Sequence, residues 1–173
     1  MERADDGRLL AVIDSSFLIN FLALDRMDIL GRLSRFRFHV VNHVSAEIRY
    51  EDQRRRQLTA VESGIVTKIE ITEPGEVLLY DDLRRFLGDG ESASLAVAVS
   101  RRWVIAADEK GRFRRELFAR LGKNYLLDTV GALVTAIKAD VITVAEAEAL
   151  RTQLRENRFE IDTTPFDELL REK

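Results

Sequence analysis

The sequence predicts a three-layer α/β/α fold with a mainly parallel central sheet, and three observations carry that expectation. Two short runs, Leu9-Leu10-Ala11-Val12-Ile13 and Trp103-Val104-Ile105-Ala106-Ala107, are apolar throughout, as strands covered on both faces must be. Helical segments separate the strand-like runs, the alternation that produces parallel neighbours. No repeat, low-complexity stretch or long linker divides the 173 residues. Residues 1–8 read as a frayed tail and 9–173 as a single domain.

In chain order, the first strand covers 9–13 and a helix 16–23, with Asp25 the expected N-cap of a helix over 26–35. Phe38–Asn42 reads as strand two, and Ser45 caps a helix that carries Glu47 on to residue 62. Gly64 breaks that helix, and Ile65–Ile71 alternates as a half-exposed strand does. Pro74-Gly75 marks a turn before a helix over 76–87, which ends at Gly88. Asp89 is the expected N-cap of a helix over 91–101. After the second apolar strand come a helix over 111–121, closed by Gly122, and a short strand at Tyr125–Leu127. Asp128 or Thr129 caps a helix over 130–139. Thr143-Val144-Ala145-Glu146 is a capping box that opens a helix to 156. Phe159–Ile161 reads as a last edge strand, and Thr164-Pro165 starts a terminal helix.

Composition narrows the chemistry. There is no cysteine, which excludes disulfides, thiolate catalysis and thiolate-bound zinc. The two histidines, His39 and His43, are too few for a histidine-rich metal site. A metal site here would be built from oxygen, the donor that suits magnesium or manganese. No apolar run reaches the roughly 20 residues that span a bilayer, and the first residues are acidic, unlike a signal peptide; both favour a cytoplasmic protein with no membrane partner. The net charge of −3 announces no basic field, but arginines bunch at 54–56, 84–85, 101–102 and 112–115. Such clusters are solvated faces or phosphate contacts.

Four acids fall at comparable places. Asp14 ends the first strand and Asp108 the later apolar one, while Glu47 and Glu91 fall in the expected first turns of helices that follow strands. In a parallel sheet, strand carboxyl ends and helix amino ends share one rim, so all four acids face one crevice. Singly, each has a plain reading as a cap, a turn former or a partner of the helix dipole. Together they repel one another unless a cation lies between them. A divalent ion in such an oxygen shell can activate water for in-line phosphodiester cleavage.

Ile13-Asp14-Ser15-Ser16-Phe17-Leu18-Ile19, Val44-Ser45-Ala46-Glu47-Ile48, Gly90-Glu91-Ser92-Ala93-Ser94-Leu95-Ala96 and Ala107-Asp108-Glu109 resemble, in order and spacing, the four motifs of PIN domains. The resemblance runs from about residue 9 to 138. It implies a PIN-like fold and a metal-dependent endoribonuclease of the VapC toxin type. Asp14, Glu47, Glu91 and Asp108 would be catalytic and hold Mg2+ or Mn2+, and Ser16 would orient Asp14 or a water. The implied partners are an RNA substrate, a small antitoxin covering the crevice, and a second copy in a homodimer. Many PIN toxins carry a further acid two places after the last aspartate; here Lys110 stands there, and Glu109 and Asp128 are the acids nearby. The segment around Asp128–Leu133 and the helix over 143–156 resemble an uncharacterised PIN-like subgroup.

Arg112, Arg114 and Arg115 follow Asp108 closely and are candidate substrate-phosphate contacts, or else a salt-bridged helix face. His43, His39 and Trp103 read as structural. A second reading is a catalytically inactive PIN-like module that binds nucleic acid or regulates, motivated by Lys110 and the acidic pI of about 5.6. A third, a phosphoaspartyl enzyme, is disfavoured because Ser16 stands where the haloacid-dehalogenase pattern needs a second aspartate.

Overall fold

The computed structural model describes residues 1–171. The strands are β1 (Leu9–Ile13), β2 (Phe36–Val41), β3 (Val66–Ile69), β4 (Val104–Ala106) and β5 (Leu126–Leu127). They form one all-parallel sheet in the order β3-β2-β1-β4-β5. The helices are α1 (Ser15–Ala23), α2 (Met27–Arg32), α3 (Asn42–Ala46), α4 (Glu51–Glu62), α5 (Pro74–Leu83), α6 (Asp89–Arg101), α7 (Gly111–Arg120), α8 (Thr129–Lys138), α9 (Val144–Glu156) and α10 (Phe166–Leu169), with a 3-10 turn at Lys123–Tyr125.

The pleat of β1 explains why its run is apolar throughout. Leu9, Ala11 and Ile13 join the core on one face, with residues of α1, α2, α8 and α9. Val12 joins the core on the other, with α6, Phe113 and Leu117. Ala11, Val12 and Ile13 are wholly removed from water. The three-layer, parallel architecture expected from the sequence is therefore present, and its centre is β1. From β1 the chain adds β2 and β3 on one side, then crosses to add β4 and β5 on the other. The gap between β1 and β4 at their carboxyl ends is the topological switch point, where open parallel sheets place ligands.

Several local expectations are corrected. Asp25 does not cap the second helix: its φ of 55° is left-handed, closing the turn after α1, and Arg26 holds the N-cap position of α2. Short polar side chains such as Asp tolerate that conformation. The helix expected over 45–62 is broken. α3 starts at Asn42 directly after β2, Glu47 is its C-cap, and α4 begins only at Glu51. The buried Gln57 of α4 donates to Ser45 Oγ at 2.9 Å, fastening the second helix beside the first. Pro74 occupies the first turn of α5 rather than a turn before it. Asp89 is inside α6, Gly88 being the N-cap.

Phe159–Ile161 forms no strand. Phe159 N–H instead bonds the Leu154 carbonyl at 3.0 Å, which keeps the segment on the end of α9 and away from the sheet. Residues 1–8, expected to fray, are tied down: Glu2 N–H bonds the Arg102 carbonyl, Leu10 N–H bonds that of Glu2, and the amino terminus reaches Tyr125 Oη. No helix among the described residues is long and apolar enough to cross a membrane.

Candidate functional site

Asp14 follows β1 directly and is completely buried at the switch point. Its Oδ2 accepts from the Ser16 hydroxyl (2.9 Å) and the Ser16 N–H (3.3 Å), and its Oδ1 from the Ser94 hydroxyl of α6 (3.0 Å). All its partners are neutral. Burial pushes the carboxyl up to about 6 and the nearby Glu91 charge pushes the same way, against the hydrogen bonds from Ser16 and Ser94.

Asp108 lies two residues past β4. Its Oδ1 accepts from Thr129 N–H (2.9 Å), and its Oδ2 from the Thr129 hydroxyl (2.5 Å) and Asn20 Nδ2 (3.0 Å). Burial raises this carboxyl as well, with a further push from the Asp128 charge. Ser16 joins the two aspartates, since its hydroxyl also accepts the Asp108 N–H at 3.1 Å. The pairing of β1 with β4, which sets Ile13 beside Ala106, makes this contact possible across 92 residues.

The two glutamates reach the same rim by different routes. Glu91 sits in the first turn of α6, and its Oε2 accepts the Gly88 N–H at 2.7 Å, half of a capping box. Glu47 is not in a first turn. It caps the end of α3 and reaches the start of α6, where its Oε1 accepts the Gly90 N–H at 2.8 Å. A Cβ on Gly90 would stand 2.7 Å from this carboxylate, so glycine is what admits it.

Glu109 makes a fifth acid. Burial, the charges of Asp14 and Glu91, and a hydrogen bond with Glu91 push its carboxyl up to about 7, with Ser16 pulling the other way. Asp128, the other nearby acid, is spent as the N-cap of α8, accepting Gly131 N–H at 2.8 Å. Among the described residues none of Asp14, Glu47, Glu91, Asp108 and Glu109 forms a salt bridge with a lysine or arginine. Nor do three or more acids and histidines there gather around one point as ready-made metal ligands.

Of the three candidate arginines, only Arg114 shares a cleft with Asp108; its Nε donates to the Glu109 carbonyl at 2.8 Å and a guanidinium nitrogen lies 3.7 Å from Asp128. Arg112 is stacked on Phe86, 3.8 Å from the ring centroid, and Arg115 is exposed on α7. His39 packs on Trp103 and His43 on Tyr80. Sequence reasoning missed Asn20, Ser94 and the Asp108-binding role of Thr129. A signal existed for Asn20: it lies four residues after Ser16, on the face of α1 that carries Ser16 to the rim.

The family model DUF3368, described as a PIN domain, matches residues 10–173. The chain belongs to the PIN domain family. No curated protein and no solved structure matches it. PIN domains are generally nucleases and typically use divalent metals. In this PIN domain the donor chemistry fits such an ion in kind: every candidate ligand is oxygen, the buried carboxylates repel one another, and Asn20 Oδ1 is buried beside Asp108 without a hydrogen-bond partner.

Proposed function

We propose that this PIN-domain protein is a divalent-metal-dependent endoribonuclease. The observation that carries the reading is the electrostatic state of the switch point. The Glu91 charge raises the proton affinity of Asp14, and Asp14 and Glu91 together raise that of Glu109, in a crevice where no lysine or arginine among the described residues pairs with these acids. A fold built for itself alone gains nothing from that repulsion. Asp14, Glu91, Asp108 and Glu47 would hold Mg2+ or Mn2+, with Glu109 as the further acid in place of the residue at Lys110. When bound, such an ion supplies an activated water and charge stabilisation for the departing oxygen.

The chain's own part is orientation. Ser16, Ser94, Asn20 and Thr129 hold the two aspartates with neutral donors, fixing their direction without cancelling their charge. Glu47 and Glu91 are held by backbone N–H groups that they would release on turning to an ion. Arg114 lies where it can meet a substrate phosphate beside Asp108. The toxin role, the small antitoxin and the homodimer are supported by the family likeness.

The inactive binding module remains as a second reading. The capping bond of Glu91 and the absence of a gathered ligand cluster among the described residues favour it. Incubation of RNA with purified protein and manganese, beside Asp14→Asn and Glu91→Gln, separates the two. The ribonuclease cleaves, and both variants fold but lose cleavage and manganese-dependent heat stabilisation together. That stabilisation is about 2.7 kcal/mol at a hundredfold excess over Kd. Wild-type protein with neither cleavage nor a manganese shift, or cleavage that survives in Asp14→Asn, overturns the proposal.

A further inference from the structure

Lys110 stands where an acid was expected, and its surroundings give it a different use. Two clefts open beside Asp108. The larger, about 590 Å³, is lined by Lys110, Arg114, Arg155 and Arg158 among others. The smaller, about 290 Å³, takes in Ser16, Asn20 and Glu109. Asp108, Lys110, Phe159 and Glu160 line both, so Lys110 and the Phe159-Glu160 pair form the partition between the two clefts.

Residues 157–164 contain no helix or strand and cross this region as a strap. One end is pinned by Phe159 N–H to the Leu154 carbonyl, the other by the Arg151 guanidinium, which donates to the carbonyls of Asp162 and Thr164. Between the pins, Glu160 is bonded to Lys110 Nζ at 2.6 Å, and both side chains are largely exposed, 85% and 64%. A carboxylate on an ammonium reproduces the charge pattern of a phosphate oxygen on that ammonium. Arg155 and Arg158, which form no salt bridge among the described residues, line the same cleft, so a polyanion displacing Glu160 finds more than one cation.

We propose that Lys110 is a substrate-phosphate contact beside Asp108, and that Glu160 occupies it in the free protein as an internal competitor which an RNA phosphate displaces. This rests on the endoribonuclease reading. An exposed ion pair is weak, so the strap gives way readily while still weakening the binding of any strand that must displace it.

Binding of a fluorescein-labelled 2′-O-methyl oligouridine to the full chain, followed by anisotropy at constant ionic strength with calcium in place of manganese, tests this without cleavage. Glu160→Gln is expected to tighten binding about two- to five-fold, the range an exposed ion pair allows. Lys110→Gln should weaken it by a similar factor, and the double variant should bind like Lys110→Gln. Glu156→Gln, a neighbouring exposed acid outside both clefts, should bind like wild type. Glu160→Gln binding no more tightly than wild type overturns the proposal. So does a tightening that persists when Lys110 is already gone. If no variant binds the probe and wild-type protein with manganese cleaves no RNA, the ribonuclease reading falls and takes this one with it. Intact cleavage with an unresponsive Glu160→Gln removes the competitor alone.

Discussion

Glu47 and Gly90, 43 residues apart, hold one another in place: the Glu47 carboxylate accepts the Gly90 N–H at 2.8 Å, in a space that any Cβ on Gly90 would invade. The contact ties the end of α3 to the first turn of α6 and brings Glu47 to the rim that carries Glu91. Gly90→Ala therefore tests positioning without touching an acid. Alanine suits a helix better than glycine by about 1 kcal/mol, which offsets part of the crowding. The melting temperature should change little, while RNA cleavage falls about 10- to 100-fold, the loss typical when the support of a ligand is removed. Full activity in Gly90→Ala would show that Glu47 needs no such support.

The buried carboxyl of Asp14 makes stability depend on pH in a direction opposite to that of a salt-bridged acid. Its affinity for a proton is raised from an ordinary value of 3.8 to about 6 in the folded state. The folded protein thus retains a proton that the unfolded chain releases between those values. Stability from this group is greatest below the unfolded value and declines as pH rises toward 6, by on the order of 3 kcal/mol. Glu109, raised to about 7, extends the decline upward. Across this range the melting temperature of metal-free wild type should fall relative to that of Asp14→Asn as pH rises, so that Asp14→Asn melts higher near neutrality. Manganese should reverse the trend in wild type. A metal-free protein that grows more stable between pH 4 and 6 in a manner dependent on Asp14 would contradict the site described.

Thr129 is fully buried and holds Asp108 through both its N–H and its hydroxyl, while accepting from Asn20 Nδ2 at 3.1 Å. Thr129→Val keeps the shape and deletes the hydroxyl. The expected cost is about 1–3 kcal/mol, since Asn20 Nδ2 loses one of its acceptors and Asp108 a donor. Cleavage should drop through kcat with KM nearly unchanged, because Asp108 loses its orientation while substrate contacts remain. Equal kcat in Thr129→Val and wild type, measured by steady-state cleavage, would assign Thr129 to folding alone.

Much of this protein was legible in the chain because the responsible forces are local or periodic. A strand buried on both faces must be apolar at every position, so β1 and β4 and the aspartates that end their runs stood out, and the capping box at Thr143 needed only four residues. The parallel, three-layer order followed from alternation. What the chain left open depends on contacts between distant segments. No glycine or proline marks the break between α3 and α4, which is made by Gln57 on Ser45 and by Glu47 on Gly90. Glu109 joins the acids only because β4 is registered against β1, and Asn20 and Thr129 meet on Asp108 only once folding brings α1 to the first residue of α8. Phe159–Ile161 carries the apolar alternation of a strand, yet its nearest partner is the end of α9, and packing against a helix overrode the pattern. Burial pattern determined which segments are strands and which acids end them; only tertiary contact, where one backbone N–H or one hydroxyl decides a side chain's direction, determined how those acids face one another.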